Sequence, residues 1–392
     1  WRAPIPTSTL AVRDMGTSIL ESLLKVSEKA ANIARVIRQD EHLIKLLVQE
    51  KKGAEKNPRF VQDFKTLADV LIQETVKHDI GSRFPDIVNH IFGEESNTFS
   101  NVLGDTITVQ VQADQVATAA LLSTVCRSVL SGDTQAAERL ALEVHRDLRL
   151  EDVDMENLPQ LNLPLEQCGI WIDPIDSTSE YISGEEAKLS ANDIYKSGLG
   201  CVTVLIGVFD RVSGQPILGV VNQPFYTQHG SRWEGMCQWG VKFGDLSKCS
   251  ASLLRNMEDD RAKVAVLSGS EDPNLKCRLR SAGYVVAEAS GAGYKQLCVA
   301  RGNADLYLLT KGSTFMWDTC GPHAILRSLG GGIVSYKRVL ENGENLEEAE
   351  LKYGANHTAE EQCSASHCNL EGIIAFRDRS LVHELVKILR PS

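Results

Sequence analysis

The segment Gly169-Ile-Trp-Ile-Asp-Pro-Ile-Asp-Ser-Thr178 constrains this chain more than any other. Gly169–Ile172 is a short apolar strand, and two carboxylates, Asp173 and Asp176, stand at its C-terminal end. Pro174 fixes its own φ and disfavours helical geometry at Asp173, so the chain is expected to turn sharply as it leaves the strand, with both carboxylates facing one point. Ser177 and Thr178 then fall where a helix would begin, and their backbone N–H groups and hydroxyls suit a phosphate. Carboxylates beside a phosphate repel it unless metal ions lie between them, so the segment implies Mg²⁺ rather than direct anion binding. The same residues also suit an Asp-Pro turn with Asp176 as an ordinary N-cap. Taken alone, the segment leaves both readings open.

Charge and length narrow the field. Lys and Arg number 41 against 52 Asp and Glu, a net charge of −11. Neutralising a nucleic-acid backbone takes a basic face, so general nucleic-acid binding is not expected. A small phosphate ester would need its positive charge from bound divalent cations. The 392 residues, 43% of them hydrophobic, suffice for two domains or one large layered unit. No run of about 18 apolar residues occurs, and no membrane span is expected. Residues 1–14 lack the charged-then-apolar order of a signal peptide. They are expected to be a disordered extension or a cloning remnant, with Met15 as the start. The ten cysteines are scattered, several within apolar runs such as Cys201-Val-Thr-Val-Leu-Ile206, which suggests buried, reduced thiols in a cytoplasmic protein. The Cys-x-x-Cys pairs of a zinc site are absent.

Leu23, Val26, Ala30, Ile33 and Ile37 recur at three- and four-residue steps and predict a helix from Ser18, which Leu43, Ile44, Leu47 and Val48 extend or restart. Gly53-Ala-Glu-Lys-Asn-Pro58 breaks that pattern. Leu67, Val70, Leu71 and Val76 predict a second helix, entered through Asp63-Phe-Lys-Thr-Leu-Ala-Asp69, and a short strand ends at Phe92-Gly-Glu-Glu-Ser96. Residues 97–168 are polar, with one helical stretch at Thr134–Val144 and a charged run at Glu151–Glu156, and read as an elaboration. Cys201–Phe209 and Ile217–Val221 predict a hairpin; Lys263–Leu267, Leu306–Leu309 and Ile373–Phe376 predict strands. Ala324–Leu329 and Leu381–Leu389 predict helices. The first half argues α+β and the second α/β.

Two further acidic elements accompany the first. Gly93-Glu-Glu-Ser96 and Thr314-Phe-Met-Trp-Asp318 each read alone as a solvated loop or a cap, but together with Asp173 and Asp176 they offer the hard oxygen ligands that two or three Mg²⁺ ions need. The motifs Phe92-Gly-Glu-Glu-Ser96, Trp171-Ile-Asp-Pro-Ile-Asp-Ser-Thr178 and Trp317-Asp-Thr-Cys-Gly-Pro-His323, in this order, resemble the lithium-sensitive, Mg²⁺-dependent phosphomonoesterases. That superfamily includes the inositol monophosphatases, the 3′(2′),5′-bisphosphate nucleotidases and the inositol polyphosphate 1-phosphatases. Four features make the chain most similar to the last branch. They are Asp63-Phe-Lys-Thr-Leu-Ala-Asp69, Ser177 where relatives usually have Gly, the elaboration before Asp173, and Ser290-Gly-Ala-Gly-Tyr-Lys295.

The resemblance implies a layered α-β-α-β-α sandwich. Its metal site would lie between an α+β half, residues 15–200, carrying most metal ligands, and an α/β half, residues 201–392, carrying Asp318 and substrate-binding residues. It implies a first Mg²⁺ held by Glu94, Asp173 and the Ile175 carbonyl, and a second held by Asp173, Asp176 and Asp318. A third, weaker ion would be held in part by Glu94, with Glu95 as a further metal partner of that ion or in its outer shell and as a catalytic residue. Asp69 and Thr178 would orient and deprotonate the attacking water, and Li⁺ would inhibit by taking one metal position. The implied reaction removes the 1-phosphate of inositol polyphosphates such as inositol 1,4-bisphosphate and inositol 1,3,4-trisphosphate; a monomer is expected.

For the substrate, Ser177, Thr178 and Ser270 are expected to meet phosphate or hydroxyl groups, although Ser270 also fits a turn. Gly291 and Gly293 would let the backbone approach a ligand. Lys295 would pair with a second phosphate, although a lysine at a helix start is otherwise solvated. Two positions depart from the pattern. Asp272 stands where relatives tend to carry a basic residue, and Gly321-Pro322 replaces small residues, with Pro322 expected in the first turn of a helix. His323 reads as packing or capping, and Trp171 and Trp317 as walls of the metal site. The spacings of haloacid-dehalogenase phosphatases, aspartic proteases and P-loops are absent. A bisphosphate nucleotidase is the alternative, against which Ser177 argues. An inactive phosphate-binding scaffold is another, against which Asp69 and Thr178 argue.

Overall fold

The computed structural model describes residues 18–53, 56, 63–126, 135–149, 158–254, 261–342, 345–354 and 364–390. The expectations for residues 1–14, Pro58, Thr134 and the 151–156 run lie outside them. In chain order the main elements are α1 (Ile19–Arg38), α2 (Leu67–Arg83), β1 (Ile91–Gly93), α3 (Gln115–Cys126), α4 (Gln135–His145), β2 (Cys168–Asp176) and α5 (Thr178–Ser183). There follow β3 (Thr203–Asp210), β4 (Pro216–His229), β5 (Arg232–Phe243), β6 (Leu246–Cys249), β7 (Val264–Leu267), α6 (Pro273–Ser281), β8 (Val285–Glu288) and α7 (Ala292–Arg301). The chain continues with β9 (Leu306–Leu309), α8 (Met316–Ser328), β10 (Gly332–Ser335), β11 (Ile373–Phe376) and α9 (Arg379–Leu389).

Two sheets result. The first has six strands in the order β6-β5-β4-β3-β2-β1, antiparallel except for the parallel pair β1–β2. The second has the order β8-β7-β9-β11-β10, in which β7 runs parallel to β8 and β9 while β11 is antiparallel to β9 and β10. Strand alternation assigns the layers, because successive side chains leave a strand on opposite faces. Val204, Ile206 and Val208 of β3 pack with the α1 and α2 stripe, while Leu205 joins Tyr294, Leu297 and Ile325 of α7 and α8. Val264 and Val266 of β7 face that same middle layer; Ala265 and Leu267 face Leu279 of α6 and Leu385 of α9. The order is therefore helices, sheet, helices, sheet, helices: the layered α-β-α-β-α sandwich. The first sheet takes strands from Ile91 to Cys249, so residue 200 falls between its second and third strands.

Three local expectations are corrected. β2 does not end at Ile172 but runs through Asp176. α8 begins at Met316, not Ala324, so Pro322 lies in the helix interior rather than its first turn. The elaboration contains a helix missed by pattern, α3, whose Val116-Ala-Thr-Ala-Ala-Leu-Leu122 run carries no one-sided stripe. Strands β5, β6, β8 and β10 and helices α6 and α7 are further elements without a strong local signal.

Helix α8 lies unusually close to the first sheet. A Cβ on Gly219 of β4 would sit 1.9 Å from the Gly321 carbonyl oxygen, and one on Gly207 of β3 would sit 2.4 Å from the Gly321 nitrogen. Only glycines permit this backbone-to-backbone contact.

Candidate active site

A bulge brings the first two carboxylates together. Asp173 and Asp176 are three residues apart, and a regular pleat would point them to opposite faces. On β3, however, their partners are Leu205 and Thr203, only two residues apart, so β2 carries one extra residue at this point. The extra residue restores a common face, and Pro174, with no N–H to donate, sits at the irregularity. Ser177 follows at φ 73°, in the left-handed region, where an L-residue with a side chain costs roughly 1–2 kcal/mol relative to a right-handed one.

Asp176 is not a local cap. Its Oδ1 accepts from Ala292 N at 3.1 Å, and its Oδ2 from Gly293 N at 2.9 Å and Thr203 Oγ1 at 3.1 Å. It is thus held at the N-terminus of α7, where a negative charge is favoured. Gly291, at φ 75°, and Gly293 serve this contact, since a Cβ on Gly291 would lie 3.0 Å from Asp176 Oδ2. Asp318, at the third position of α8, accepts from Phe315 N through Oδ2 at 2.6 Å. Asp173, Asp176 and Asp318 each offer a carboxylate oxygen within 4.8 Å of the others.

These charges oppose one another. Burial raises the pKa of Asp173 well above the ordinary carboxylate range, and Glu94, Asp318 and Asp176 push it further. Burial and Asp176 likewise raise Asp318. Burial also raises Asp176, against Lys295 and the hydrogen bonds that favour its charge. Asp173 Oδ1 is buried and has no hydrogen-bond donor among the described residues. An acceptor-only oxygen in that position, beside two more carboxylates, fits a divalent cation with oxygen ligands.

Glu94 and Glu95 follow β1 at the rim of this group. Gln73 of α2 grips the Glu95 backbone at both ends, accepting from its N–H at 2.8 Å and donating to its carbonyl at 2.5 Å. Lys51, only 3% exposed, pairs with Glu94 at 2.6 Å and Glu95 at 2.5 Å. Burial opposes the Lys51 charge, but Glu94, Glu95 and Asp63 outweigh it and hold its pKa well above the ordinary value. Burial lifts Glu95 to about 8 despite Lys51.

Asp69 lies beneath, wholly buried. Its Oδ2 accepts from Thr66 N at 2.7 Å and Thr66 Oγ1 at 2.6 Å, closing a capping box at the start of α2. Its Oδ1 is left for Thr178 Oγ1, 3.5 Å away, which also donates to the Ile175 carbonyl at 3.1 Å. Burial, opposed by the Thr66 hydrogen bonds, raises Asp69 to about 6.

Above these groups opens a cleft of about 1120 Å³, whose wall includes Ser177, Thr178, Ser270, Gly291 and Lys295. Lys295 is not a solvated lysine: it is 3% exposed, donates to the Ala289 carbonyl at 3.1 Å and lies 5.3 Å from the Tyr307 ring centre. Burial lowers its pKa, against the pull of Asp176. Asp272 instead caps α6, accepting from Asn274 N at 2.9 Å. On the far side Phe92, Trp171, Trp317 and His367 form an aromatic wall with ring centres 5.0–6.1 Å apart.

The sequence of the whole chain carries the same signature. The profile of the inositol monophosphatase family matches residues 19–371. The chain belongs to the inositol monophosphatase family. It is 45% identical over 383 residues to inositol polyphosphate 1-phosphatase of Mus musculus, covering 93% of this chain and 95% of that one. To the Homo sapiens protein of that name it is 42% identical, covering 95% and 97%. To 3′(2′),5′-bisphosphate nucleotidase 1 of Dictyostelium discoideum it is 32% identical, over only 47% of this chain and 58% of that one. The inositol monophosphatase family comprises metal-dependent phosphatases, and this chain is one of them.

In this family member, Lys51, Gln73 and Thr203 were not legible as site residues, because each reaches its partner across the fold. The Thr66-x-x-Asp69 spacing did carry a signal, that of a capping box, which fixes Asp69 at the third position of α2. His323, fully buried, bonds Tyr353 Oη at 3.0 Å and Glu350 Oε1 at 3.3 Å, a packing role as expected. No helix among the described residues is long and apolar enough to cross a membrane.

Proposed function

We propose that this phosphatase hydrolyses the 1-phosphate of inositol polyphosphates such as inositol 1,4-bisphosphate and inositol 1,3,4-trisphosphate, using two or three Mg²⁺ ions. The observation that carries the chemistry is the trio Asp173, Asp176 and Asp318, the first two buried and the third half-buried, mutually repelling without a cation. Similarity to inositol polyphosphate 1-phosphatases over nearly the whole length, against half of it for a nucleotidase, supports the substrate class.

The trio, with Glu94 and the Ile175 carbonyl, would hold the cations. Bound there, divalent cations neutralise the phosphate charge and acidify the attacking water. The chain's own groups do the rest. Asp69, with a pKa near neutrality and one oxygen turned to Thr178, takes the water proton through the Thr178 hydroxyl. Lys51 holds Glu94 and Glu95 in register, and Gln73 fixes the backbone of Glu95. Ser177 and Thr178 approach the reacting phosphate, while Ser270, Gly291 and Lys295 line the part of the cleft open to the ring and a second phosphate. The aromatic wall excludes water from one side. Li⁺ inhibits by taking one of the cation positions, and the protein acts as a cytoplasmic monomer. Residues 15–200 supply most of the ligands, and residues 201–392 supply Asp318 and substrate contacts.

Phosphate release from inositol 1,4-bisphosphate, inositol 1-phosphate and 3′-phosphoadenosine 5′-phosphate, each with Mg²⁺, EDTA or Mg²⁺ plus Li⁺, tests this. Preference for the inositol bisphosphate, lost in EDTA and inhibited by Li⁺, is expected. Preference for the nucleotide would overturn the substrate.

A further inference from the structure

The interior proline of α8 leaves a carbonyl without its usual partner. In an α-helix the N–H of residue 322 would donate to the carbonyl of residue 318, but Pro322 has no N–H. The carbonyl released is that of Asp318 itself, and it is taken from outside the helix. Gln296 Nε2, on α7, donates to it at 2.9 Å and to Ala292 O of its own helix at 3.0 Å. Gln296 is fully buried, and its Oε1 has no donor among the described residues. Burying an amide with an unmet acceptor is costly, so packing alone does not account for a glutamine here.

The same helix holds a second ligand of the trio. The N–H groups of Ala292 and Gly293 grip Asp176, and Gln296, one turn later, grips the backbone of Asp318. We infer that Gln296 is a positioning residue that, through the gap left by Pro322, makes α7 the template fixing Asp318 against Asp176. The inference rests on the reading of the trio as a cation site.

The test is a double-mutant cycle between positions 296 and 322 in the full chain, read by calorimetric titration of Mg²⁺ into EDTA-stripped protein. Gln296→Leu should weaken Mg²⁺ binding about tenfold or more, as loss of a partner that orients a ligand typically does. Pro322→Ala should stay within about threefold of wild type, because it restores the N–H that Asp318 lacks. The combined variant should return to within about threefold of Pro322→Ala, a rescue that a packing role for Gln296 does not provide. Should Gln296→Leu fail to fold, Gln296→Met keeps the volume and replaces it in the cycle; folding only in the Pro322→Ala background counts as rescue. Mg²⁺ binding by the single variant equal to wild type, or no rescue in the double, overturns the inference. Absence of Mg²⁺ binding by the wild type would instead overturn the cation site.

Discussion

Gly219→Ala tests how the trio is held from a position that touches none of its members. The new Cβ would fall 1.9 Å from the Gly321 carbonyl oxygen and 2.8 Å from its carbonyl carbon. Ordinary contact begins at 3.4 Å, so α8 and the sheet must part by about 1.5 Å, the difference 3.4 − 1.9. Asp318 rides on α8, three residues from Gly321, whereas Asp173 and Asp176 stay on β2. The displacement therefore opens the trio. Metal–ligand distances tolerate only about 0.2 Å, and a misplacement of about 1 Å can cost ~10² in rate. Mg²⁺ affinity should fall about 10- to 100-fold, with an overpacking loss of about 1–3 kcal/mol in stability. The assay is Mg²⁺ calorimetry and kcat at a temperature where circular dichroism shows the variant folded. A folded variant with wild-type Mg²⁺ affinity and kcat would refute the idea that the glycine contact sets the position of Asp318.

Asp69→Asn and Thr178→Ala should each lower kcat by at least ~10² while Mg²⁺ titration stays near wild type; an unchanged kcat would remove the pair from proton transfer. Asp173→Asn should abolish Mg²⁺ binding yet raise the melting temperature in EDTA near pH 8, because it removes a carboxyl that burial and its acidic neighbours make harder to ionise folded than unfolded; a lower melting temperature would contradict that opposition. Metal-free stability should depend on pH with a definite sign. Asp173, Asp318, Asp69 (about 6) and Glu95 (about 8) bind protons more tightly folded than unfolded. Their contribution is complete below the ordinary carboxylate pKa and is lost as pH rises through the folded values, so the melting temperature in EDTA should fall between about pH 5 and pH 8. Mg²⁺ should flatten that slope, and a flat curve in EDTA would refute the shifts.

Much of the site was readable from residue order because its parts are local. The 173–178 segment, the Glu94-Glu95 pair and Asp318 each announce themselves as carboxylates at an element's end, and the apolar periods of α1, α2, β3 and β9 predict the elements that carry or back them. Misreadings arose where tertiary contact overrides local chemistry. Pro174 looked like the end of a strand because a bulge is defined by the partner strand, not by the strand that contains it. Pro322 looked like a first-turn residue because Asp318 to His323, the stretch of α8 just before Ala324, carries polar and small residues, and the close contact with the sheet at Gly321 requires a glycine. The burial of Lys295, expected from the sequence to meet a second phosphate, was not legible because it depends on Tyr307 and Asp176, both distant in sequence.

The sequence by itself determined which groups are available: hard oxygen donors at four points, a hydroxyl–carboxylate pair, an acidic chain that must import positive charge, and the continuous apolar runs of several strands. Only the tertiary structure decided their arrangement. The bulge turns Asp173 and Asp176 to one face, the N-terminus of α7 fixes Asp176, and three glycines let α8 bring Asp318 to them. Local pattern depends on the periodicity of one segment. The distance between two carboxylates depends on how closely two layers can pack, and that is set by side chains far from either carboxylate in the chain.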